Sequence, residues 1–82
     1  MTSPDTTATS ADPFREAVNA ATQAANLAQT ADSPEAWSQV ADLWDSAVKN
    51  MQAVPSDHPR YDVAQQKIPE YQRYLDYAQQ QL

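Results

Sequence analysis

The chain has 82 residues and a formal charge of −6, from eleven acidic and five basic side chains, and it contains neither glycine nor cysteine. That length fits one domain, and an acidic surface repels phosphate backbones and anionic lipid, which excludes a nucleic-acid partner. The missing cysteine excludes disulfide frameworks and thiolate chemistry, and the missing glycine excludes phosphate-cradling loops and hairpins with primed turns.

Alanine, glutamine and aspartate are abundant while β-branched residues are few, a balance that favours helix. No window approaches the roughly 18 consecutive apolar residues of a membrane span. The opening run "MTSPDTTATSAD" lacks the basic start and apolar stretch of a secretory leader, so a cytoplasmic location is expected. Residues 1 to about 11 have no apolar period and read as a disordered tail.

An ordered unit is expected over residues 12–82. The first helix, about residues 13–30, begins with Asp12 as N-cap and Pro13 at the first helical position. Its apolar stripe is Phe14, Ala17, Val18, Ala21, Ala24, Ala25 and Ala28, an alanine face that permits close approach. The second helix, about 34–54, starts the same way: Ser33 caps, Pro34 follows, and Glu35 sits where the helix dipole favours an anion. Its stripe is Trp37, Val40, Ala41, Trp44, Ala47, Val48, Met51 and Val54, widened by Ala36 and Leu43 as a middle helix requires. Both tryptophans read as core. The third helix, about 59–81, has Asp57 or His58 as its cap, Pro59 in its first turn, and the stripe Tyr61, Ala64, Ile68, Tyr71, Leu75, Ala78 and Leu82. Short loops make neighbours antiparallel. The expected fold is all-α, an up-down-up antiparallel three-helix bundle.

Pro69 falls inside the third helix, next to Ile68 and before Tyr71, on the outer side of the stripe. There it frees one carbonyl, near Gln65, to solvent, and reads as a tolerated surface kink. A break at Lys67–Ile68 and a docking site on the bent surface are the alternatives.

No constellation for catalysis, cofactor binding or metal binding stands out. His58, the one histidine, reads as a capping or surface residue; the alternative, half of a pair with Asp57, lacks a nucleophile nearby in sequence. Asp42 and Asp45 point outward at a spacing of three, and Asp45 with Lys49 four later reads as a surface ion pair. The residue types of a binding hot spot are Tyr74, Tyr77 and Arg73, with Val63 on the same outward side. The plainer reading is that Tyr74 covers the core edge and Tyr77 rests on the tail or the first helix.

The wording "EAWSQVADLWDSAVKNMQAVPSDHPRYDVAQQKIPEYQRYLDYAQQ", preceded by "FREAVNAATQAANLAQTA", resembles a small all-helical module common in cyanobacterial proteins, over about residues 13–81. The resemblance rests on "VADLW", "MQAVP", Tyr61, "AQQK", "EYQRYL" and "YAQ". It implies an accessory or adaptor segment. That module has no assigned activity, so the resemblance transfers no catalytic residue. It often carries a helix-friendly residue where this chain has Pro69, which implies that the helix continues there. The expected function is therefore a small acidic soluble interaction module, not an enzyme, with another protein as its partner. The alternatives are a self-associating structural protein (a homo-oligomer) and an acidic mimic that occupies a basic groove.

Overall fold

The computed structural model describes residues 12–82. The tail expectation concerns residues 1–11, which lie outside the described residues. Three helices follow one another: α1 (Pro13–Ala28), α2 (Pro34–Gln52) and α3 (Tyr61–Gln80), with no strand among the described residues.

Two of the three starts use a proline behind a polar cap. Asp12 is extended, and its carboxylate accepts the Phe14 N–H at 3.0 Å, with Pro13 supplying a helical φ and no donor to satisfy. Ser33 repeats the device with its Oγ accepting the Ala36 N–H at 3.2 Å.

The ends of α1 and α2 fall about two residues short of the expected ones. The N–H groups of Gln29 and Thr30 bond to the carbonyls of Asn26 and Leu27, which tightens the last turn of α1. Val54 N–H likewise reaches back only three residues, to the Met51 carbonyl, and Pro55 brings no donor to continue.

The start of α3 differs from expectation. Pro59 lies before the helix, and Arg60, with no side-chain cap bond, takes the N-cap position. The reason is a pair of tight turns. His58 N–H bonds to the Pro55 carbonyl and Tyr61 N–H to the His58 carbonyl, each at 3.0 Å. These bonds use up residues 55–60 before helical pairing begins with Ala64 N–H on the Arg60 carbonyl. Asp57 stays exposed. His58 contributes through its ring instead, as described below.

Pro69 does not break α3, which runs unbroken from Tyr61 to Gln80. Pro69 is exposed, and so is Gln65, whose carbonyl lacks the N–H that a proline cannot give.

The helices form an up-down-up antiparallel arrangement with α2 in the middle. α1 and α3 each pack along α2 and barely touch one another. The Cα envelope is accordingly wide and shallow, 41 × 29 × 14 Å. Three helices side by side at 8–10 Å spacing span about 20–25 Å, whereas three at the corners of a triangle span about 15 Å.

Burial follows that layout. α2 supplies Val40, Ala41, Trp44, Ala47, Val48 and Met51, with Val54 just beyond it. α1 buries Ala17, Ala20, Ala21 and Ala24, while Val18 and Ala25 are exposed. The first stripe is therefore narrower than expected and turned toward Ala20, because α1 has one neighbour to pack against rather than two. α3 buries Ala64, Tyr71 and Ala78 and half-buries Tyr61, Ile68 and Leu75. Leu82, past the end of α3, is exposed instead of completing the stripe.

Candidate functional site

Two places gather chemistry-bearing side chains. The first is an aromatic band where α3 lies on α2. Trp37 and Trp44 are two turns apart on α2, and α3 runs the opposite way, so its later tyrosines meet the earlier tryptophan. Trp44 is buried with its ring centroid 5.3 Å from that of Tyr71 and 4.8 Å from that of Tyr74. Tyr77 meets Trp37 edge to face at 5.9 Å. The edge-to-face and tilted arrangements avoid the face-to-face sandwich that aromatic quadrupoles disfavour.

Tyr74 and Tyr77 remain 44% and 58% exposed, so each has one side seated on a tryptophan and the other open to solvent. Tyr77 thus rests on α2 and not on α1. Trp37 is only half-buried, packed against the core with Tyr77 at its edge. The Tyr74 hydroxyl makes a long contact of 3.5 Å with Glu70 Oε2, and Lys67 Nζ donates to Glu70 Oε1 at 3.3 Å. Burial pushes the Tyr71 phenol above its ordinary range, partly offset by the charge of Lys67.

Arg73 is exposed beside this band. Val63, also exposed, shares the side but sits in the first turn of α3. At 1.5 Å per residue it is about 16 Å from Tyr74 and about 21 Å from Tyr77 along the axis, outside the patch they form.

The second place is the end of the molecule where the starts of α1 and α3 lie together. His58, in the loop between α2 and α3, reaches Asp12 at the cap of α1, with Nε2 3.2 Å from Oδ1. Among the described residues, every other hydrogen bond made by a side chain spans four residues or fewer. The tautomer follows from the other ring nitrogen. Nδ1 lies 2.9 Å from the Arg60 N–H, which can only donate, so Nδ1 accepts and Nε2 carries the proton given to Asp12. Asp12 Oδ1 therefore takes two protons' worth of bonding, from His58 and from the Phe14 N–H. The Phe14 ring stacks on His58 at 5.8 Å, and the Arg60 guanidinium lies 5.5 Å from the Phe14 centroid. An open pocket of ≈ 330 Å³ lies here, with Arg15, Val18 and Asn19 of α1 completing its walls.

The partner of His58 is thus Asp12, 46 residues away, and not the adjacent Asp57. The signal for it was the antiparallel order, which brings the starts of the first and third helices to one end. Asp45 and Lys49 form the expected ion pair at 3.0 Å, on an exposed face. No group of three or more His, Cys, Asp or Glu among the described residues could hold a metal ion. No helix among the described residues is long and apolar enough to cross a membrane. Comparison of the chain with protein-family models, with curated proteins and with solved structures finds no match.

Proposed function

We propose that this chain is a small acidic, soluble cytoplasmic interaction module without catalytic activity, which binds another protein through the aromatic band. The observation that carries the reading is the seating of Tyr74 and Tyr77 on Trp44 and Trp37. Exposed aromatics are common singly. Two that rest on tryptophans of a neighbouring helix are restricted by that packing before a partner arrives, so covering them carries less entropic cost. Arg73 adds a guanidinium at the rim, and tyrosine with arginine is the pairing enriched at interface hot spots. The absence of catalysis is part of the proposal, supported by His58. Both of its ring nitrogens are engaged, which leaves none to take a substrate proton. Membership in the cyanobacterial helical module that the sequence resembles belongs to the same reading and adds no residue role.

The test compares capture from native lysate by the unaltered chain and by Tyr74→Ala with Tyr77→Ala. A partner retained by the first and lost by the second supports the reading. Identical capture by both overturns it. Self-association is the second reading, favoured by the open layer in which α1 and α3 barely meet. It requires a mass above 9.1 kDa in concentrated solution by light scattering.

A further inference from the structure

The pocket at the α1 start holds an unusual concentration of positive charge for so acidic a chain. Of the five cationic side chains, Lys49 and Lys67 are paired with carboxylates of their own helices. Arg15 and Arg60 both line the pocket, and among the described residues neither has a carboxylate within ion-pair distance. Each also sits at the start of a helix, Arg15 in the first turn of α1 and Arg60 at the N-cap of α3. The positive end of the helix dipole disfavours a cation there. Among the described residues the one carboxylate in the walls is Asp12, and it accepts from the Phe14 N–H and the His58 Nε2–H. Two guanidiniums thus face a shared space whose one wall carboxylate among the described residues, Asp12, is already committed.

The rest of the wall decides what kind of anion fits. Phe14 and the 39%-exposed Val18 give an apolar surface. A volume of ≈ 330 Å³ is at the lower end of the range for small-molecule pockets. Glu16, Asp57 and Asp62, carboxylates of the described residues close in sequence to these helix starts, are exposed and are not among the walls. Their negative charge at this end of the molecule penalises a dianion more than a monoanion. A carboxylate also matches the planar fork of arginine.

We propose that this pocket binds a small organic monocarboxylate, with the carboxylate held by Arg15 and Arg60 and its apolar body against Phe14 and Val18. The proposal is independent of the aromatic band. The test titrates benzoate into the full 82-residue chain at neutral pH and follows backbone amides by NMR. The expected result is saturable shifts at Phe14, Arg15, Asn19 and Arg60. Affinity falls roughly tenfold or more when Arg15→Gln and Arg60→Gln are combined, since charge-assisted contacts are lost. Lys49→Gln, which removes a cation elsewhere, leaves affinity unchanged, as does Tyr74→Ala with Tyr77→Ala. Both arginines are exposed, and an unchanged helical circular dichroism spectrum certifies that the variants fold. Any of three results overturns the proposal: no saturable shift up to about 20 mM benzoate, a millimolar ceiling for weak ligands; equal binding by the arginine double variant; or binding of benzamide or phenyl phosphate as tight as that of benzoate.

Discussion

Replacing Pro69 by alanine is expected to stabilise the protein. A proline within a helix costs about 3 kcal/mol relative to alanine, through the missing N–H and the clash with the preceding turn. The chain carries this cost at an exposed position of an unbroken α3, with the Gln65 carbonyl left to water. Pro69→Ala restores the donor to that carbonyl. Part of the gain is offset, because proline restricts the unfolded chain and so contributes about 0.4–1 kcal/mol of its own. The balance is about 2 kcal/mol in favour of alanine. For a domain of this size about 1 kcal/mol moves the melting temperature by 4–8 °C, so an increase of about 8–16 °C is expected. Thermal denaturation followed by circular dichroism measures it, with Gln66→Ala on an exposed neighbouring position as a control that moves Tm little. A Tm that is unchanged or lower in Pro69→Ala refutes the reasoning. It would mean that the packing of α3 on α2 depends on the geometry the proline imposes.

The other predictions bear on the cap, the core and pH. Asp12→Ala removes both the N-cap acceptor of α1 and the partner of His58, and costs about 1–3 kcal/mol in urea denaturation, whereas Asp12→Asn keeps a cap acceptor and costs less. Met51→Ala empties one of the largest fully buried positions and costs about 2–5 kcal/mol, a large share of the roughly 4–11 kcal/mol that a domain of this size has in all. Tyr71 has a raised pKa from burial, so the folded state holds its proton longer than the unfolded state does. Its contribution is complete below the ordinary tyrosine pKa of about 10 and is lost as pH rises through the folded value. Alkaline melts therefore show a steeper loss for the unaltered chain than for Tyr71→Phe, and equal slopes would contradict the assignment.

Helix existence and order were legible because their signals are local. Asp12-Pro13 and Ser33-Pro34 each combine a side-chain acceptor with a fixed φ, and both caps form. The run from Val40 to Met51 keeps its spacing through three turns, and all of its members are buried. The start of α3 was less legible because its signal is a competition. "PSDHPRY" carries two prolines and two polar caps, and the outcome is settled by consecutive turns and by a ring nitrogen accepting the Arg60 N–H. In the candidate sites, the sequence pointed to Tyr74, Tyr77 and Arg73 as a surface but not to the tryptophans beneath the tyrosines. Val63 shared their side by periodicity, and periodicity carries no information about distance along the axis.

What the pattern could not convey was how the outer helices relate to one another. A stripe specifies that a face is covered, not by how many neighbours. In α1 the difference is visible in individual residues: Ala20 is buried, while Val18 and Ala25, which a second neighbour would have covered, are exposed. The composition of α1 explains it. The alanines of α1 let it lie close against α2 but are too short to reach α3, so contact between the outer helices is confined to the end where Phe14 meets His58 and Arg60. The polar tie between Asp12 and His58 then acquires a role that its modest individual strength would not suggest. It is the one side-chain hydrogen bond among the described residues that joins segments distant in the chain, and it fixes the start of α1 to the loop that launches α3. The same tie sets Phe14, Arg15 and Arg60 around a single pocket. Stability at that end and any binding there are consequently coupled through Asp12. A ligand that bridges Arg15 and Arg60 ties the start of α1 to the start of α3, and raises Tm as binding to the folded state must.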